Sequence, residues 1–133
     1  MTSDRAEQPV RLGVVGLGRG FMLMIPTFKA DPRVTLVAAA APRAESRAAF
    51  AAEFGGRGYD DIVPLCADPD VEAVYIATPH QVHADHVCTA LKAGKHVLVD
   101  KPIAISMADA DRMVAAAEAS GKQLIVGPSH SFD

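Results

Sequence analysis

The 133-residue sequence predicts an α/β protein, a doubly wound parallel sheet with helices on both faces. Three observations carry that prediction. Apolar runs of strand length recur at residues 10–15, 34–40, 73–77, 96–99 and 123–126, and helix-compatible segments separate them. The first run breaks at Gly16-Leu17-Gly18-Arg19-Gly20 and leads into an apolar helical segment. Continuous apolar runs belong to strands covered on both faces, and right-handed crossovers through intervening helices wind such strands into one parallel sheet.

Taken in order, the first strand, VRLGVV at 10–15, ends in the glycine turn. Gly16 allows a tight turn, and Gly18 lets a pyrophosphate approach the backbone without meeting a Cβ. The free N–H groups and positive end of the next helix then face the phosphates. The dinucleotide fingerprint wants Gly or Ala at position 21, where this chain has Phe21, with Gly20 one residue early. The helix start is therefore expected to be shifted or splayed, and Pro26 limits its regularity. A turn that holds no ligand is the competing reading.

Asp31-Pro32 turns the chain into the second strand at 34–40, which Ala41-Pro42-Arg43 ends. Residues 45–54 read as a helix with Ala48, Ala51 and Ala52 on one face, stopped by Gly55-Gly56. A short strand at 57–59 and a short helix at 61–66 precede the strand AVYIA at 73–77, closed by Thr78-Pro79. Ala84, Val87, Cys88 and Leu91 have the i, i+3, i+4, i+7 spacing of an amphipathic helix over 82–93. The strand HVLV at 96–99 carries Asp100-Lys101-Pro102 at its carboxyl end. Ser106 and Asp109 resemble a capping box, opening a helix with Ala110, Met113, Val114 and Ala117 as its buried face. A last strand at 123–126 leads to Ser129-His130. Residues 1–9 are expected to be a disordered lead, and 10–133 one compact domain.

Composition excludes several classes of function. A net charge of −3 gives no electrostatic case for nucleic acid or an anionic membrane, and no apolar run reaches the length of a membrane span. The start, MTSDRAEQP, lacks the layout of a secretory signal. Cys66 and Cys88 have no CxxC spacing and read as reduced core thiols of a cytoplasmic protein. His80, His83 and His86 lie too far around a helix for three ligands to converge, so no metal site is expected.

The runs ATPHQVH at 77–83 and ALKAGKHVLVDKP at 90–102, together with GLGRG, resemble the signature of the Gfo/Idh/MocA oxidoreductases. Those enzymes carry TPxxxH after the fourth strand and AGKHVLxEKP through the fifth. Within the family, the chain looks closest to bacterial dihydrodiol dehydrogenases acting on aromatic acids such as phthalate. The resemblance implies a Rossmann domain that binds NAD or NADP, and hydride transfer to or from a hydroxyl-bearing substrate, an aromatic dihydrodiol or a sugar-like molecule. It also implies a second α/β domain supplying most substrate contacts and the dimer interface. Nothing here matches that domain, so the chain is expected to be incomplete for catalysis alone and prone to self-association through its last strand. The competing function is a non-catalytic nucleotide-binding module acting through a partner.

The resemblance also assigns residues. Gly16, Leu17, Gly18, Arg19, Gly20 and Phe21 would line the phosphates, with Ala41 and Arg43 after the second strand. Thr78, Pro79, His80 and His83 follow the fourth strand, and Asp100, Lys101 and Pro102 the fifth. In an open parallel sheet these strand ends converge at the switch point. Lys101 is the implied catalytic residue, stabilising the reacting oxygen or moving its proton. Asp100 stands where the family usually has Glu, one methylene longer. Ala41 stands where NAD-using members carry an acid. A hydrogen bond to a charged group contributes roughly 1.5–3 kcal/mol, so NAD loses about tenfold or more in affinity. Alanine there also removes a charge that would repel a 2′-phosphate, and Arg43 is placed to pair with one, so the sequence leans toward NADP. In the alternative, Arg43 covers the adenine or points to solvent.

Overall fold

The computed structural model describes residues 9–77, 80–100 and 107–127. Its elements are β1 (Val10–Val15), α1 (Arg19–Ala30), β2 (Val34–Ala40), α2 (Ala44–Phe54), β3 (Arg57–Tyr59), α3 (Ile62–Cys66), β4 (Ala73–Ile76), α4 (His80–Lys92), β5 (His96–Asp100), α5 (Met107–Ser120) and β6 (Leu124–Gly127). The strands form one sheet in the order β3-β2-β1-β4-β5-β6, and every adjacent pair is parallel. Chain order reverses at β1, which lies between β2 and β4, the switch point of a doubly wound sheet.

Strand side chains alternate between the two faces, and each face has its own core. Leu12, Val14, Leu36, Ala39 and Tyr75 pack beneath α1 and α2 with Phe21, Phe28 and Phe50. Val15, Ala38, Ala40, Val74, Ile76, Val97 and Val99 pack beneath the other helices with Leu65, Val87, Leu91 and Met113. α3 lies close on β1, since a Cβ on Gly13 would meet Leu65 Cδ2 at 3.0 Å and Val71 Cγ1 at 3.1 Å. Cys66 and Cys88 are free and buried, and burial pushes the Cys66 thiol up to about 11. No helix among the described residues is long and apolar enough to cross a membrane.

The amino ends of the strands are tied by charged side chains. Asp68 is buried and accepts from Arg57 Nε (2.7 Å) and the Tyr59 hydroxyl (2.8 Å), while its carbonyl accepts from Lys95 Nζ (2.9 Å). Burial opposes ionisation of Asp68, yet Arg57, the Asp70 N–H and Tyr59 together hold its carboxyl below the usual range. Arg11 Nε, at the start of β1, donates to the Asp70 carbonyl at 2.8 Å.

The face of α2 that carries Ala48, Ala51 and Ala52 is exposed, and the helix turns Phe50 inward with Phe54 half-buried; α5 departs from its expected buried face at Val114. In α5, Met113 is buried with Ala116 and Ala117 packed beside it, whereas Val114 is 54% exposed. Large side chains gain more from burial than alanines, so they decide the rotation of an alanine-rich helix. The start of α1 is neither shifted nor splayed: Gly18 is its N-cap, and the Met22 N–H donates to the Gly18 carbonyl at 3.1 Å. The helix runs through Pro26 to Ala30.

Candidate site at the carboxyl edge of the sheet

Because all pairs are parallel, the carboxyl ends of the strands share one edge, and main-chain hydrogen bonds fasten it. The Gly16 N–H donates to the Ala40 carbonyl (2.9 Å), Ala41 to Tyr59 (2.9 Å) and Ala77 to Val15 (2.8 Å). Gly16 has φ 97°, the left-handed region that favours glycine. Gly18 differs. Its φ of −93° suits any residue, and among the described residues, its chain neighbours aside, no atom lies within 4 Å of where its Cβ would stand. Neither backbone nor packing asks for glycine there. The missing side chain leaves open space at an N-terminus that no side chain caps, where first-turn N–H groups have no intrahelical partner.

Phe21 is 4% exposed, its ring 6.4, 6.2 and 6.1 Å from those of Phe28, Phe50 and Phe54. Leu17 packs against the same cluster. Both side chains therefore serve the core, and only their backbone is left for a ligand at the turn. Arg19 and Gly20 open α1, and His80 and His83 lie in the first half of α4, with Asp100 ending β5. The side chains of these five are outside the described residues. Thr78, Pro79, Lys101, Pro102 and His130, and residues 1–8 of the lead expected at 1–9, lie wholly outside them.

At the end of β2, Ala41 is 5% exposed and both its N–H and its carbonyl are hydrogen-bonded. Its N–H is used by β3, and its carbonyl accepts from Arg47 Nη1 at 2.7 Å. Arg43 is largely exposed, its Nε 3.6 Å from Glu45 Oε1. Beside this turn a cleft of about 90 Å³ is lined by Gly16, Ala41, Pro42, Asp60, Asp61 and His86, among others. Burial lowers the pKa of His86, while the charges of Asp61 and Asp85 oppose the shift.

The sequence reading singled out neither Arg47 nor Asp60 and Asp61.

A profile of the Gfo/Idh/MocA group, described as an oxidoreductase family with an NAD-binding Rossmann fold, matches residues 10–128. Over 125 residues the chain is 57% identical to 1-carboxy-3-chloro-3,4-dihydroxycyclohexa-1,5-diene dehydrogenase of Comamonas testosteroni, covering 93% of this chain and 32% of that protein. Among solved structures, a 3-ketoreductase from Actinomadura kijaniata in complex with NADP and TDP-benzene matches at TM-score 0.84 and 33% identity, over 90% of this chain and 37% of that one. The WlbA dehydrogenase from Bordetella pertussis, in complex with NADH and UDP-GlcNAcA, matches at TM-score 0.85 and 29% identity, over 92% and 36%. The chain thus spans about a third of the length of these proteins.

Proposed function

Because this chain belongs to the Gfo/Idh/MocA oxidoreductases as an NAD-binding Rossmann domain, we propose that it holds NAD or NADP across the carboxyl edge of its sheet for hydride exchange with a hydroxyl-bearing substrate. The observation that carries this reading is Gly18. It is a glycine that the fold does not need, flanked by empty space at an uncapped helix N-terminus. A diphosphate approaching that backbone is the ligand such a turn suits.

The substrate class proposed is a cyclic dihydrodiol, by likeness to the Comamonas relative. In this reading Gly16, Gly18 and the first-turn N–H groups of Arg19, Gly20 and Phe21 hold the diphosphate. Ala41 and Arg43 face the adenosine ribose, and Thr78, Pro79, His80, His83, Asp100 and Pro102 surround the other half. The bound nicotinamide supplies the hydride acceptor or donor. Lys101 acts on the substrate oxygen, taking its proton as the hydride leaves the adjacent carbon, or stabilising the charge that develops there. The lean is toward NADP, supported by the methyl group at Ala41 in place of a carboxylate and by the exposed guanidinium of Arg43.

Thermal unfolding of the chain without ligand, with NAD and with NADP, at matched millimolar concentrations, tests the reading. A ligand at about 100 times its Kd adds about 2.7 kcal/mol, so even weak binding raises Tm visibly. A rise with both, larger for NADP, is expected; no rise with either overturns the proposal. In any form of the protein that turns over substrate, Lys101→Ala should lower kcat by about 10²-fold or more and leave dinucleotide affinity unchanged. Retained turnover removes Lys101 from the chemistry.

A further inference from the structure

The Arg47 side chain reaches back from α2 to the turn after β2, its Nη1 donating to the Ala41 carbonyl at 2.7 Å, while its backbone N–H makes the ordinary helical bond to the Arg43 carbonyl at 3.2 Å. The turn it reaches carries Ala41 and Arg43, proposed above to face the ribose. β3 also makes room for this side chain. A Cβ on Gly58 would stand 3.0 Å from Arg47 Cβ, closer than side chains ordinarily pack, so glycine at 58 lets the stem of Arg47 cross toward the strand end. Because the Ala41 N–H is already taken by Tyr59, the sheet and the guanidinium hold the two successive peptides that flank the Ala41 Cα.

We propose that Arg47 is a positioning residue: by clamping this turn it aims Arg43 at an anionic group on the cofactor ribose, a 2′-phosphate, and so sets the preference for NADP over NAD. The inference rests on the cofactor-binding reading above. Arg43 itself pairs with Glu45 at 3.6 Å, both side chains well exposed, a weak contact from which its charge can be redirected. A long, flexible cation loses rotamer entropy when it binds, and a fixed backbone limits that loss to the side chain. Arg47 acts without touching the phosphate, which makes its effect conditional on Arg43.

Titrating NADPH and NADH into the intact chain, followed by nicotinamide fluorescence, tests this. The variants are Arg43→Ala, Arg47→Ala, Arg47→Lys and the Arg43→Ala/Arg47→Ala double. Arg47→Ala should weaken NADPH about tenfold, the scale of one hydrogen bond to a charged group, and NADH less than about twofold. The double variant should lose no more NADPH affinity than Arg43→Ala alone, the non-additivity expected when one residue works through another. Arg47→Lys, which keeps a donor for the Ala41 carbonyl, should recover part of the loss. If Arg47→Ala does not fold, Gly58→Ala, which presses on the Arg47 stem, should give the same selective loss. Equal weakening of both dinucleotides, or additive losses in the double variant, overturns the clamp and leaves the site assignment standing. Failure of the unaltered chain to bind either dinucleotide overturns the site assignment itself.

Discussion

Gly18 and His86 stand beside the same edge and report on different things. Any side chain at 18 enters space that the protein leaves empty. Gly18→Ala should therefore change stability by no more than about 0.5 kcal/mol, while dinucleotide affinity, measured by titration, falls markedly. A variant that lost stability and kept affinity would show that the glycine serves the fold. His86 is held neutral by burial, its folded pKa below the ordinary 6.5. The unfolded chain therefore takes up its proton at higher pH than the folded one, and the stability this group contributes is lost as pH falls through 6.5 toward the folded value. Melting curves from pH about 7.5 to about 5.5 should show a steeper loss in the parent than in His86→Asn.

At the scale of elements, the aromatic cluster beneath α1 joins two helices. Phe21 sits between Phe28 on its own helix and Phe50 and Phe54 on α2. Phe21→Ala should cost about 3–5 kcal/mol, read as a lowered denaturant midpoint; a loss below about 1 kcal/mol would mean that the neighbouring rings close the gap. The same cluster shows what the sequence could and could not reveal. β1 and β2 were legible residue for residue, because apolar runs ended by glycine, proline or polar turns leave little choice of boundary. The inward faces of α2 and α5 were not, because alanine is compatible with either side and Phe50 and Met113 set the rotation only once a sheet lies beneath them. The glycine turn was legible as a local pattern. Arg47 was not, since its path depends on Gly58 in the next strand and its partner is a carbonyl, which no residue type discloses.

Across the whole molecule, the two edges of the sheet are secured by different means. Ion pairs and buried polar contacts around Asp68 and Arg11 tie the amino ends of the strands. The carboxyl ends are joined by the main-chain bonds of Gly16, Ala41 and Ala77, with Arg47 on one of them. Local opening draws on such differences, since segments held by fewer side-chain contacts exchange their amide hydrogens at lower free energy. Deuterium uptake in the unliganded chain should accordingly be faster at Gly16 and Ala77, which lack the Arg47 contact made at Ala41, than at Val71 or Glu72, whose amides are bonded near the charged edge. Uniform protection along the strands would count against the difference. A sheet rigid at one rim and breathing at the other gives a ligand a place where its binding can quench motion without disturbing the rest, so occupancy would be written in exchange rates before any change of shape.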